Sequence, residues 1–509
     1  MRKFGLSLMV VLLALALTIG VAGAKTLVVG FDDDLVTLDP ADFSHRQTEA
    51  MLRQVFEGVS TYMPDRDIVM ELAVSIEAID PTTYEIIVRE GVEFHDGSSL
   101  TAQDVAYSLN RIIQEGAMAG RTSQRRGLMG PTREAVVVDE YTVHLLLDNP
   151  WPLLPRFIPW QMIISSEVGD GYVEDPVGTG PFVFEEWVRG SHFTVVRNEN
   201  YWGEKPFIER LVFRIIGDES ARVSALRAGE IDIATFIPVH EIESLEEHPD
   251  INVVSVLGTR SFFLEMNVNK PPFDDIRVRK AMNYAIDLET AIEVLYEGMA
   301  TRIPFILSPK AFSYHDGLEF FDYDPAQAME LLAEAGYPEG FTFELDVVDA
   351  HRSRAEIYQA MLSVVGIDTR IRTWPTWGAA RDAWMAAKEQ PVEEQRDVFL
   401  NDWGNASLDP FDIFIPKFHS EVPGLGRGNF SGYANPEVDS LLEHTLAATE
   451  DQERFEAFQT AQEIVHADVP MVFEFVAHEI YGVNQRVKNW EPSPDSRMHF
   501  HLLGVDIEE

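Results

Sequence analysis

Tyr84-Glu85-Ile86-Ile87-Val88-Arg89-Glu90-Gly91-Val92-Glu93-Phe94-His95-Asp96-Gly97 continues through Leu100-Thr101-Ala102-Gln103-Asp104-Val105-Ala106-Tyr107-Ser108-Leu109-Asn110-Arg111. One run thus holds a strand, a turn and a capped helix. Thr83 to Val88 is short and β-branched, which predicts a strand. Asp96-Gly97 is turn chemistry, because the aspartate side chain can bond backbone ahead of it and glycine tolerates a left-handed conformation. Thr101 and Asp104 form a capping pair, and Val105, Leu109 and Ile112 then recur at helical spacing to make one apolar face.

The same alternation of strand and helix extends in both directions. Thr26 to Val29, Thr142 to Leu147, Phe193 to Val196, Leu211 to Ile216 and Phe262 to Val268 read as strands. Asp324 is an N-cap, Pro325 suits the first helical position, Gln327 completes a capping box, and Gly336 stops the helix after Leu331, Leu332 and Ala335. With 46% hydrophobic residues and 11% aromatic, the chain can build large cores, and it contains no internal repeat. Strands interleaved with helices on both sides of the midpoint predict α/β lobes rather than a sandwich or a bundle.

Met1-Arg2-Lys3, an apolar run from Phe4 to Val21, and Ala22-Gly23-Ala24-Lys25 have the order of a secretory signal peptide, with cleavage expected after Ala24. An uncleaved anchor is the alternative reading of the same run. No later segment is apolar for long enough to span a bilayer. The chain has no cysteine, which removes disulfides, thiolate metal sites, a cysteine nucleophile and a lipid-modified cysteine anchor together. A formal charge of -44 disfavours nucleic acid and anionic membrane, both of which need a positive footprint. The acidity fits either an ordinary solvated surface or a salty medium.

Enzymatic constellations are missing. There is no Gly-x-Ser-x-Gly elbow, no P-loop, and no Gly-x-Gly-x-x-Gly after a strand; Gly424-Leu425-Gly426-Arg427-Gly428 has the spacing of a surface loop. His240-Glu241 and His478-Glu479 begin like zinc-protease helices, but Ser244 and Gly482 stand where the second histidine is needed. His95-Asp96 is read as turn-fixing in preference to an acid-base pair. No metal site and no cofactor are expected.

Four separated stretches resemble extracellular solute-binding protein family 5, the peptide- and nickel-binding components of ABC importers. They are the run quoted first; Gly178-Thr179-Gly180-Pro181-Phe182 with Arg197 to Gly203 and Ala225 to Asp232; Met266 to Asn269 with Pro271 to Ala281; and Trp403 through Asp409-Pro410 to Asp439, with Asp468-Val469-Pro470. The resemblance implies an α/β, two-lobed periplasmic binding protein-like fold of type II, of the large kind with an extra subdomain, hinged at two chain crossings. Lobe one is then expected at 25–269 plus 481–509 with a subdomain at about 53–174, and lobe two at 270–480, with crossings near Leu264 to Val268 and Phe475 to Tyr481. It further implies a periplasmic monomer without a lipid anchor that captures a peptide or peptide-like solute and hands it to inner-membrane ABC permease subunits. An oligosaccharide ligand is the alternative within the family, and a secreted hydrolase is a reading outside it.

The ligand is expected where the N-terminal loop of lobe one meets loops of lobe two, at Ser44, His45, Arg46, Trp377, Trp403, Asn405, Ala406 and Asp409. Peptide binders of the family usually carry an acid three positions after that tryptophan, where it pairs with the peptide's amino terminus. Here the position is Ala406, so Asp402 or Asp409 is a candidate replacement, because a buried ammonium needs a charged or well-bonded partner. Arg46, Arg352 and Arg354 are candidates for a ligand carboxylate, through the bidentate guanidinium fork. Trp374, Trp377, Trp384 and Trp403 either stack on a ligand or fill the core. Nickel bound directly by the protein is not expected without a histidine cluster.

Overall fold

Two long antiparallel strands, Ile251–Met266 and Met471–Asn484, form the spine of an eleven-stranded sheet. This computed structural model describes residues 25–169, 171–421, 426 and 428–508; the signal peptide and its cleavage after Ala24 lie outside them. The two strands pair from Ile251 with Asn484 to Glu265 with Met471, and their register shifts between Leu257 and Ser261 and again between Ser261 and Phe263. Such irregularities bend a strand and raise its local twist.

Different strands flank the spine at its two ends. The C-terminal half of Met471–Asn484 pairs with Ile233–Ala234, which leads to Thr26–Phe31, Arg210–Ile215, His192–Arg197 and Phe182–Val188. The second half of Ile251–Met266 pairs with Val398–Gly404, which leads to Thr342–Val348 and Asp368–Trp374. The result is a two-lobed α/β molecule. One lobe's core gathers Leu27, Val29, Phe31, Phe193 and Phe213, and the other's gathers Leu264, Phe343, Leu345, Tyr358 and Leu400. After Asn484 the chain returns to the first lobe, where Phe500 packs edge-on against Phe213 at 6.1 Å.

The run that decided the reading builds a smaller sheet with its own core. Ala73–Asp80, Thr83–Val88, Thr142–Leu147 and Thr132–Asp139 pair in that order, and Val105, Leu109 and Ile112 of helix Ala102–Ile113 are buried against them. Asp104 reaches back to the Thr101 amide at 2.9 Å and also accepts from the Ser166 amide and hydroxyl at 2.8 Å each, so the cap ties a loop down as well. Asp96 accepts from the Ser98 amide and hydroxyl while Gly97 takes φ +85°, as a tight turn requires. His95 is a structural staple: its Nε2 lies 3.0 Å from the Gly180 carbonyl and its amide donates to the Gly178 carbonyl at 2.9 Å. A Cβ at Gly178 would sit 2.0 Å from the Val55 carbonyl oxygen, so that stretch needs glycine for contact rather than for φ.

Thr83–Val88 and Thr142–Leu147 are strands with the expected bounds, and both show strict inside-outside alternation. Of Phe262 to Val268, by contrast, only Phe262 to Met266 is strand, the end of one sixteen residues long that begins at Ile251. The residues before Phe262, with Gly258 and Arg260, lack the apolar alternation that marks a strand in sequence. Asp324 caps helix Pro325–Glu334 through the Gln327 amide at 2.9 Å, and Asp275 caps Ile276–Tyr284 through the Arg277 amide at 2.8 Å.

Candidate functional site

Between the lobes lies a cavity of about 870 Å3. The first lobe contributes the Phe43-to-Arg46 loop, Gln124, Arg125, Phe157 and Trp160, and the second contributes His351, Pro375 to Trp377, Asp402 to Gly404, Ala406 and Asp412. Arg260 enters from the spine strand. Most of these positions are strand ends or helix starts, where side chains escape regular packing. His45 is the N-cap of helix Arg46–Leu52, its ring accepting from the Thr48 amide, and this turns Ser44 and Arg46 toward the cavity. Thr376 caps Trp377–Lys388 in the same way, which places Trp377 on the first turn at the cavity wall.

The walls carry both signs of charge, mostly matched in pairs. Arg46 donates to Glu479 Oε1 at 2.9 Å and to Thr259 Oγ1 at 3.2 Å. Arg125 pairs with Glu49 at 3.4 Å and donates to the Trp160 carbonyl. Burial alone would raise the Glu49 pKa, but the charges of Arg125, Arg497 and Arg53 outweigh it and hold the carboxyl below its ordinary value. Asp402 binds Arg260 through one oxygen and His351 Nε2 at 2.7 Å through the other. There too burial is overcome, by the His351 hydrogen bond and the Arg260 charge, leaving Asp402 far below the usual carboxylate range. Asp412 behaves in the opposite way. Burial pushes it up to about 6, Asp409 adds to the rise, and the Ser407 hydrogen bonds and the more distant Arg66 only partly offset it.

Aromatic faces complete the walls. Trp377 and Trp403 meet edge to face at 6.3 Å; Trp377 Nε1 donates to Asn401 Oδ1 at 3.3 Å and Trp403 Nε1 to the Asp412 carbonyl at 2.7 Å. Under Trp403 lies a fully buried ion pair, Lys417 to Glu265 at 2.9 Å, whose ammonium sits 4.5 Å from the indole centroid.

Ser44, His45, Arg46, Trp377, Trp403 and Ala406 all line this cavity. Asn405 and Asp409 do not. Asn405 is fully buried, its amide bonded to the Thr259 carbonyl at 2.8 Å. Asp409 is fully buried as well, both its oxygens held by Arg454 at 2.9 and 2.8 Å and one also accepting from the Phe411 amide, so it fixes the loop into helix Phe411–Phe418. Arg352 pairs with Glu356 on an exposed helix face, Arg354 is buried on Glu474 and the Asn401 carbonyl, Trp374 donates to Asp346, and Trp384 stacks on Phe399 in the core. Gln124, Arg125, Trp160, Arg260, His351 and Asp412 are wall residues that no sequence motif marks. Among the described residues no group of three histidine or acidic side chains is arranged to hold a metal, and no helix is long and apolar enough to cross a membrane.

Residues 67–423 match the family model of bacterial extracellular solute-binding proteins, family 5 Middle. Heme-binding protein A of Haemophilus influenzae is 28% identical over 474 residues, covering 86% of this chain and 84% of that protein. The glutathione-binding protein GsiB of Salmonella paratyphi A is 28% identical over 492 residues, covering 94% of each. Among solved structures, the ABC transporter-associated periplasmic binding protein DppA of Helicobacter pylori, in complex with the peptide STSA, superposes with a TM-score of 0.79 at 26% identity, covering 95% of this chain and 98% of that one.

Proposed function

The chain belongs to the bacterial extracellular solute-binding proteins of family 5, and from that premise we propose that it captures a peptide or peptide-like solute between its lobes and delivers it to the permease subunits of an ABC importer. The observation that carries the reading is the cavity itself. Its walls come from both lobes and set three arginines, three carboxylates and three tryptophans around one space, which suits a zwitterionic chain with apolar side groups. The relatives that bind glutathione and the peptide STSA support that choice. Export through a signal peptide cleaved after Ala24, a periplasmic site of action and a monomeric state belong to the same proposal. So do the lobe limits of 25–269 with 481–509 and 270–480 and the subdomain at about 53–174. Hinge closure on the solute would bend the spine at the register shifts around Leu257 to Phe263, a few residues before the crossing expected at Leu264 to Val268.

No turnover is proposed. Apart from Asp412, the charged carboxylates and arginines of the wall are held in ion pairs rather than poised beside a nucleophile. Thermal-shift titration with free-amine di- to tetrapeptides, glutathione, hemin and oligosaccharides tests the reading, since a ligand at a hundred times its dissociation constant stabilises by about 2.7 kcal/mol. Stabilisation by the peptide set is expected. A response confined to hemin or sugars refutes the solute class, and recovery of a cleaved peptide refutes a binding-only role.

A further inference from the structure

Of the three carboxylates on the cavity wall, two are fully engaged. Asp402 has Arg260 on one oxygen and His351 on the other, and Glu49 has Arg125, Arg53 and Arg497 around it. Asp412 differs. Its Oδ2 accepts from the Ser407 hydroxyl at 2.5 Å and the Ser407 amide at 3.3 Å, while its Oδ1 accepts from no group among the described residues and no cation stands within ion-pair distance. The side chain is half-buried and borders the cavity beside Ala406, Trp160 and Trp403. The wall cations Arg46, Arg125 and Arg260 are already matched by Glu479, Glu49 and Asp402. The cavity wall therefore carries one carboxylate with no cation paired to it among the described residues.

We propose that Asp412 is the specificity-determining anchor for the ammonium end of the solute, taking through its free Oδ1 the role left vacant by the alanine at position 406. The proposal rests on the peptide reading and deepens it. A free Oδ1 held in place by a second oxygen that is already bonded is a preorganised acceptor, and a charge-assisted hydrogen bond from an ammonium recovers what Asp412 loses by burial. Ser407 sets the carboxylate's rotamer, and helix Phe411–Phe418, pinned at its start by Asp409 and Arg454, sets its place. Asp409 thus acts as a positioning residue for the anchor rather than as the anchor itself.

The test uses the full mature protein and two probes: a lysine-free di- to tetrapeptide mixture with free amino termini, and the same mixture N-acetylated. Wild type is expected to respond by thermal shift to the free-amine mixture far more than to the acetylated one. The tightest peptide, recovered by mass spectrometry, should bind D412N roughly 10- to 100-fold more weakly, while its acetylated form binds D412N and wild type alike. Should D412N not fold, Asp412→Ser reads the same contrast. Undiminished amine preference in D412N overturns the anchor and leaves the peptide reading intact, and so does a loss of preference in D402N alone. An equal loss for free and acetylated peptide in D412N assigns the residue a purely structural part and also overturns it. A wild type silent to both mixtures overturns the peptide reading, and the anchor with it.

Discussion

Replacing Lys417 by methionine strands the Glu265 carboxylate in the core of the second lobe. Both side chains are fully buried, their charged atoms are 2.9 Å apart, and the attraction is about 6 kcal/mol at an effective dielectric near 20. Desolvation offsets much of that in the intact pair, so the informative number is the cost of removing one partner, about 3–5 kcal/mol. For K417M the low end is expected, because Glu265 keeps the Phe430 and Ser431 amides at 2.8 and 3.0 Å. For Glu265→Gln the ammonium keeps the faces of Phe263, Trp403 and Phe430 at 4.5 to 5.0 Å, and its pKa, already lowered by burial, falls further. Urea unfolding followed by tryptophan fluorescence on the two single variants and the double variant forms a cycle. The double variant should lose less than the singles summed, by at least about 2 kcal/mol. A K417M cost under about 1 kcal/mol, or additivity within about 0.5 kcal/mol, refutes the reasoning. Because the ammonium also supports Trp403, K417M should weaken peptide binding, and unchanged affinity would remove Lys417 from any part in the site.

Asp409→Asn should cost about 3–5 kcal/mol by removing the buried carboxylate that Arg454 holds at the helix start, and should weaken free-amine binding less than D412N does; a loss of the amine preference as complete as in D412N at full stability would restore Asp409 as a ligand contact. Burial lowers His499 to about 3, with Arg497 adding to the effect, and lowers His501 to about 4. Both folded values lie below the unfolded value near 6.5, so their contribution is complete above that pH and is lost as pH falls, about 3 kcal/mol each by pH 4. The H499Q/H501Q double variant should therefore show a flatter stability profile between pH 6.5 and 4, and an unchanged profile would refute this. Asp412 at about 6 must ionise to hold an ammonium, with Asp409 opposing ionisation and Arg66 favouring it. Isothermal titration should accordingly find affinity for free-amine peptide rising up to tenfold per pH unit below about pH 6 and level above it, a dependence absent in D412N.

How much was legible in sequence depended on the range of the interaction. Thr83 to Val88, the Thr101–Asp104 cap, the Asp96-Gly97 turn and the Asp324 cap were readable because strand alternation, turn and cap chemistry act over a few residues. The loop at Ser44 to Arg46 and the wall at Trp377, Trp403 and Ala406 were reached through the family resemblance. Arg260 and His351 were not reached, since each is a wall residue only because it meets Asp402, which lies more than fifty residues beyond either in the chain.

Local patterning and composition alone determined an α/β chain without cysteine chemistry, with no metal-ligand spacing, and with an acidity that disfavours nucleic acid. The tertiary structure alone decided which charges are spent. Asp402, Asp409 and Asp412 are indistinguishable as letters in a chain with 84 acidic residues. Folding gives the first Arg260 and His351, gives the second Arg454, and leaves the third on the cavity wall with Ser407 but no cation among the described residues. The physical reason is that a carboxylate's availability is set by the cations and amides that converge on it from distant segments, and by the water those segments exclude.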